Sequence, residues 1–253
     1  LSRDPFGIKP LYYAFTPDGF AFSSEFQAFH KAKILCPSIN SEARNCLMHI
    51  QFSAGTETIM RGVYRVLPGE TLVVKKAKIA ERIQLGALPK SAPAFISVND
   101  ALKKLNAVLT ESISMHQRSD VPYGMFLSGG IDSSIILTLM SRLNPEPVQT
   151  YTIGFSGTGI HDERDHARYL AKARGAEHHE IEYFEHEFWN TLPAITASMD
   201  DPVADYAVLP TYKLAAEAKR SGLKVVLSGE GGDELFGGYG RYRRAIRHQW
   251  LGG

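Results

Sequence analysis

Leu127-Ser128-Gly129-Gly130-Ile131-Asp132-Ser133-Ser134 follows the apolar run Pro122-Tyr123-Gly124-Met125-Phe126 and leads straight into the helical pattern of residues 135–143. A buried strand, a Ser-Gly-Gly turn and a helix start form an anion grip in an open parallel sheet, where ligands bind beyond the carboxyl ends of the strands. Glycines without Cβ atoms let backbone N–H groups approach phosphate oxygens. The helix N-terminus adds unpaired N–H groups and partial positive charge, and Ser128, Ser133 and Ser134 add hydroxyl donors. Asp132 is out of place beside an anion unless a cation joins it, and Mg²⁺ does so by bridging carboxylate and phosphate oxygens. A turn followed by an acidic helix cap is the plainer alternative; the full string behind a buried strand favours the nucleotide. The Gly-Lys-Ser/Thr ending of the kinase and GTPase phosphate loop is missing from it, so γ-phosphate transfer is not indicated.

One hundred residues on, the arrangement returns as Leu227-Ser228-Gly229-Glu230-Gly231-Gly232-Asp233-Glu234-Leu235-Phe236-Gly237-Gly238-Tyr239. Here too a strand, Lys224-Val225-Val226-Leu227, ends in small residues and carboxylates. A solvated loop with incidental acids is the plain reading. The chemical one sets Asp233 beside Asp132 on Mg²⁺, with Glu230 facing the reacting group.

Around these motifs the period alternates between strand and helix. Residues 148–155, 177–183 and 224–227 read as strands; 163–174, 187–198 and 210–221 read as helices, the first stopped by Gly175. Such alternation implies a parallel sheet with right-handed crossovers. Upstream, Asn99 or Asp100 caps a helix whose Leu102, Leu105, Val108, Leu109 and Ile113 share one face. Before residue 88 the pattern is short and β-rich: an aromatic hairpin around Thr16-Pro17-Asp18-Gly19, a strand over 71–74, and short helices over 24–33 and 41–49. The Pro- and Gly-containing stretch 85–93 has linker composition.

Bulk properties exclude several classes. With 28 basic and 27 acidic side chains among 253 residues, the formal charge of +1 offers no general attraction to nucleic acid or anionic membrane. No apolar run approaches the ~20 residues of a membrane span. Cys36 and Cys46 read as free thiols in a reducing cytoplasm. His178, His179 and His186 among Glu180, Glu182 and Glu185 resemble metal ligands, but an exposed strand and helix explain them better. Tyr239, Arg241, Tyr242, Arg243 and Arg244 read as a helix surface rather than a nucleic-acid patch.

Segments 127–134 and 227–239 together resemble the synthetase domain of the asparagine synthetase family, with its PP-loop ATP pyrophosphatase motif. Tyr151-Thr152-Ile153-Gly154-Phe155, Asp162-Glu163, His178-His179 and Asp201-Pro202 with Asp205 and Pro210-Thr211 resemble its intervening segments. Arg3-Asp4-Pro5-Phe6-Gly7-Ile8-Lys9-Pro10, Phe22-Ser23-Ser24-Glu25 and Leu67-Pro68-Gly69 resemble the later half of a class-II glutamine amidotransferase domain. The resemblance implies an α/β protein: an incomplete N-terminal-nucleophile-type β-rich domain over 1–88, a linker over 89–98, and a parallel-sheet PP-loop (adenine nucleotide α-hydrolase-like) domain over 99–253. It implies ATP contacts by Leu127, Ser128, Gly129, Gly130, Asp132, Ser133, Ser134, Ile153, Ser228 and Gly229. It implies Mg²⁺ on Asp132 and Asp233, and a catalytic Glu230.

The implied activity is a carbon–nitrogen ligase that adenylates aspartate with ATP and aminates it with ammonia from glutamine. Its implied setting is the cytoplasm, without nucleic-acid or membrane partners and with a homodimer among the admissible assemblies. Related ligases on another carboxylate, such as a β-lactam synthetase, and a nucleotide-binding remnant without turnover are the alternatives. The family's glutaminase uses an N-terminal cysteine, a role Leu1 cannot fill; the family's glutamine-binding residues are expected before Leu1 and its pyrophosphate-stabilising lysine after Gly253. The expectation is of a fragment cut at both ends, inactive alone.

Overall fold

The computed structural model describes residues 1–155 and 162–247. The chain divides into two compact units, Leu1–Ala94 with Leu192–Tyr206, and Phe95–Thr191 with Ala207–Gly253.

In the first unit, β1 (Tyr12–Thr16) and β2 (Gly19–Ser23) form the expected hairpin, in register from Tyr12↔Ser23 to Thr16↔Gly19. They are followed by α1 (Gln27–Lys31), α2 (Ser41–Ile50) and β3 (Val63–Arg65), and β3 pairs antiparallel with β1 to give the order β2-β1-β3. Strand alternation sends successive β1 side chains to opposite faces. Tyr12 and Ala14 therefore pack with Phe26, Phe29 and Val63, while Tyr13 packs with Val66 and Leu72. Both faces of β1 are covered, so three consecutive residues are buried. Asn40 caps α2 by accepting the Glu42 and Ala43 N–H groups at 3.0 and 3.3 Å.

A second antiparallel pair, β4 (Glu70–Lys75) and β5 (Lys78–Gln84), carries a bulge at Val73/Val74. Its β5 strand is largely exposed and charge-rich, and its turn residues Lys76 and Ala77 take positive φ values of 48° and 59° without glycine or asparagine. The usual hairpin signal is an Asn-Gly or Asp-Gly turn between apolar alternations. Its absence explains why the sequence reading has no β5.

The Arg3-Asp4 motif of this unit is a knot of backbone bonds. Arg3 donates to the carbonyls of Lys9, Val66 and Gly7 at 2.8, 2.8 and 2.7 Å. The Asp4 carboxylate accepts the N–H groups of Phe6, Ile8 and Lys9, and these bonds hold its carboxyl below the usual carboxylate range.

The second unit opens with α3 (Val98–His116), capped not by Asn99 or Asp100 but by Ser97, whose hydroxyl accepts the Asp100 N–H at 3.1 Å. Only the C-terminal part of its apolar face is packed: Ile113 is buried, whereas Leu102 and Val108 are 58% and 53% exposed. There follow β6 (Tyr123–Phe126), α4 (Ile131–Leu143), β7 (Gln149–Phe155), α5 (Arg164–Arg174), β8 (Glu177–Tyr183), α6 (Glu185–Ser198), α7 (Val208–Arg220), β9 (Val225–Leu227), α8 (Gly232–Phe236) and α9 (Gly240–Ala245). The strands form one four-stranded sheet of order β8-β7-β6-β9. Every pairing in it is parallel, as the alternating pattern requires. Met125, Leu137, Met140, Ala167 and Ala171 build one core cluster with Ile113 of α3. Tyr151, Ile181, Leu214 and Ala218 build another with α7. Chain order is 3-2-1-4 across the sheet, so β6 lies between β7 and β9 and the strand sequence reverses direction there.

Among the described residues, no helix is long and apolar enough to cross a membrane. Cys36 is exposed, Cys46 is half-buried, and neither forms a disulfide.

Candidate active site

A ligand crevice in a parallel sheet lies where neighbouring strands carry the chain off in opposite directions. Here β6 and β9 are those neighbours, in register Tyr123↔Val225, Gly124↔Val226 and Met125↔Leu227. The two glycine motifs therefore leave the same sheet end from adjacent strands, although a hundred residues separate them.

Their loops interlock. A Cβ placed on Gly232 would fall 2.5 and 2.6 Å from the two carboxylate oxygens of Asp132, and one on Gly229 would fall 3.0 Å from the Ser133 nitrogen. Only bare backbone fits that closely, so the glycines of the second motif make room for the acid of the first. The Asp132 carboxylate is half-buried, and among the described residues it has no hydrogen bond or ion pair. Asp233 follows Gly232, and its carboxylate packs against Gly238 at the far end of its own loop.

The serines lace the first loop together. Ser133 is buried, and its Oγ lies 2.9 Å from Ser128 Oγ, 3.0 Å from the Ser128 carbonyl and 3.2 Å from the Gly130 carbonyl. Ser134 Oγ donates to the Gly130 carbonyl at 2.6 Å, and the Gly130 N–H donates to Ser128 Oγ at 3.2 Å. Beneath them Leu127 is 2% exposed, with its N–H bonded to the Tyr151 carbonyl and its carbonyl accepting from the Thr152 hydroxyl. Leu127 is thus a core residue of the sheet tip, and Ile153 is half-buried on β7. Ser228 and Gly229 are half-buried, and Glu230 is exposed.

The second loop concentrates negative charge. Tyr239 donates to Glu234 Oε1 at 2.8 Å. That bond first, then burial and the charges of Glu234, Asp233 and Glu230, push the Tyr239 hydroxyl up to about 12.

Among the described residues, no group of three or more His, Cys, Asp or Glu could hold a metal ion by itself. Mg²⁺ does not need one, because it is commonly bound by one or two carboxylates with water and substrate phosphates completing its shell. Half-buried Asp132, in the first turn of α4 and without an ion pair among the described residues, fits that role. The histidines fit a structural one: His178 Nδ1 is 2.9 Å from the Thr150 hydroxyl, and His179 stacks on Tyr151 with ring centres 4.7 Å apart. Among the described residues their buried Nε2 atoms have no hydrogen bond, and they lie 3.5 and 3.4 Å from Glu180 and Glu177 respectively.

Two features escape a residue-by-residue reading. The Gly129 N–H donates to Glu163 Oε2 at 3.0 Å, placing a carboxylate on the anion loop from 34 residues away. In the first unit, Asp201 is paired with Arg65 and accepts from Ser53 Oγ at 2.7 Å and the Ile59 N–H at 3.1 Å. Asp162-Glu163 and Asp201-Pro202 stand out in the sequence as segments similar to the family's, but nothing local to either assigns Glu163 to the Gly129 amide or Asp201 to Arg65.

An open hollow of about 570 Å³ in the first unit is lined by Glu25, Gln27, Lys31, Ala194, Ser198 and Asp200, and contains no residue of either glycine motif.

Comparison with known proteins agrees with the geometry. Residues 104–252 match the asparagine synthase family and residues 1–84 match the glutamine amidotransferase domain. The asparagine synthetase [glutamine-hydrolyzing] 1 of Bacillus subtilis is 38% identical over 246 residues, 97% of this chain and 38% of that protein. A putative asparagine synthetase [glutamine-hydrolyzing] of Mycobacterium tuberculosis is 39% identical over 251 residues, 97% of this chain and 38% of that protein. Amidase chry2 of Gibberella zeae is 27% identical over 96% of this chain and 38% of its own length. The chain thus spans well under half the length of these relatives. With a family match over residues 104–252 and both glycine motifs converging at one sheet end, this chain belongs to the asparagine synthase family.

Proposed function

We propose that this chain carries the nucleotide-activating part, and a portion of the glutamine-handling part, of a cytoplasmic ATP-dependent amide ligase that makes asparagine from aspartate. The observation that carries the proposal is the seating of Asp132 against Gly232, which joins the two motifs at one sheet end.

A β-carboxylate oxygen of aspartate attacks the α-phosphorus of ATP, and the bond to the β-phosphate bridging oxygen breaks to release pyrophosphate. Ammonia then attacks the acyl carbon of the adenylate, and AMP leaves as the amide forms. Backbone N–H groups of Gly129 and Gly130, with the start of α4, hold the polyphosphate. Ser128 and Ser134 border it, while buried Ser133 fixes the loop's shape. Leu127 and Ile153 shape the strand tips on which the adenine rests, and Ser228 with Gly229 closes the opposite side. Bound Mg²⁺, held by Asp132 and Asp233, would neutralise charge on the phosphates. Glu230, exposed at the second loop, accepts a proton from the attacking nitrogen. Positioning aspartate and ATP in one site supplies much of the acceleration.

The test is exchange of labelled pyrophosphate into ATP by the intact protein that carries this chain. Exchange that requires aspartate supports the reading. Exchange supported only by another carboxylate points to a different acceptor, the second reading, which the match to an amidase of another name favours. ATP binding without exchange on any carboxylate would leave a nucleotide-binding remnant without turnover, and absence of ATP binding would overturn the nucleotide site itself.

A further inference from the structure

Glu163 stands at the N-terminal edge of α5 and belongs to neither glycine motif. Its Oε2 accepts the Gly129 N–H at 3.0 Å, and a Cβ on Gly129 would lie 3.2 Å from Glu163 Cβ and 3.4 Å from His166 Cδ2. The backbone of Glu163 is held separately, its carbonyl accepting the Ala167 N–H at 3.0 Å as the first bond of the helix. The exposed side chain can therefore leave Gly129 without unwinding α5. A carboxylate and a phosphate oxygen ask the same thing of a loop amide: a negatively charged acceptor at hydrogen-bond distance.

Resting on the nucleotide reading above, we propose that Glu163 is a built-in competitor for the pyrophosphate loop: it holds the Gly129 amide when the site lacks polyphosphate and yields it when polyphosphate enters. With Asp132, it also gives the loop a second negative charge that disfavours phosphate lacking a cation. The device lowers affinity for every ligand that uses the Gly129 amide, because part of the population is always self-occupied. It leaves affinity for AMP, which has no β-phosphate, unchanged. Released pyrophosphate meets a competitor already tethered beside the loop, which favours its departure.

The experiment uses the intact protein and calorimetric titration with inorganic pyrophosphate and with AMP, each in Mg²⁺ and in EDTA. Glu163→Ala should bind pyrophosphate about fivefold more tightly, the factor expected for releasing one hydrogen-bonded competitor, with AMP affinity unchanged. Glu163→Gln keeps an acceptor but loses the charge, so its gain should be smaller in Mg²⁺ and most evident in EDTA. If Glu163 only braces the loop, Glu163→Ala will bind pyrophosphate and AMP more weakly together, and Glu163→Gln will restore both; that overturns the proposal. Unchanged pyrophosphate affinity in both variants overturns it as well. Failure of the unsubstituted protein to bind either ligand would instead count against the nucleotide site itself.

Discussion

Asp132 illustrates how a single acid is given a use by its neighbours. Nothing neutralises it within the described residues, and Gly232 leaves it just enough room. Replacing Gly232 by Ala removes that room at the first turn of α8, where alanine is intrinsically the better helix former by about 1 kcal/mol. Gly232→Ala should therefore leave the thermal unfolding midpoint unchanged or slightly raised. Its ATP affinity in the intact protein should fall at least about tenfold, following displacement of the carboxylate. Retained ATP binding would show that the Asp132 position is irrelevant to the nucleotide. Asp132→Asn keeps the shape and removes the charge. Its expected signature is ATP binding in Mg²⁺ that drops to the level seen in EDTA, measured by titration in both buffers.

At the level of strands and helices, the parallel pair β7–β8 carries a titrating group in its packing. Burial chiefly, opposed by Glu180 and reinforced by Arg168 and His179, pushes the His178 imidazole below its ordinary value. The unfolded chain then binds the proton first, near pH 6.5. Stability contributed by neutral His178 is complete above that pH, and declines as pH falls from about 6.5 toward the lowered folded value. The unfolding midpoint of the chain should drop over that interval, and His178→Gln should flatten the slope in calorimetric scans at stepped pH. An equal slope in both proteins would place the acid sensitivity elsewhere. Capping offers a second check: Asn40→Ala should cost about 1 kcal/mol through fraying of α2, read by urea denaturation.

For the molecule as a whole, the chain leaves the second unit after Thr191, contributes Leu192–Tyr206 to the first, and returns at Ala207. Asp201 anchors this excursion. Its side chain is 6% exposed and that of Arg65 16%, and Ser53 and the Ile59 amide complete its bonds. Two further ties hold it: the Ala204 N–H donates to the Gln51 carbonyl at 2.7 Å, and Gln27 Nε2 donates to the Ala197 and Met199 carbonyls. Removing one partner of a buried pair strands the other's charge, at a cost of about 3–5 kcal/mol. Asp201→Ala should lower stability by that order in urea denaturation and expose the Ile59 amide to hydrogen exchange. A change under 1 kcal/mol, the range of exposed pairs, would mean that the pair is solvated in solution.

Local patterns were enough for a good part of this protein. The alternation of apolar strands with helical periods announces a parallel sheet, because each pattern constrains which face of its own segment is buried. Ser-Gly-Gly behind a strand announces an anion loop, because glycine backbone and a helix start have that chemistry wherever they fold. Four things depended on the folded chain. The meeting of Asp132 with Gly232 required β9 to pair with β6, and no local pattern states which strands are neighbours. The polar β5 strand is held by pairing with β4 rather than by apolar alternation. Glu163 on Gly129 and Asp201 on Arg65 are contacts across 34 and 136 residues. A carboxylate's partner is chosen by distance in space, and an acidic residue reads the same along the chain whether it faces water, a loop amide or a buried guanidinium.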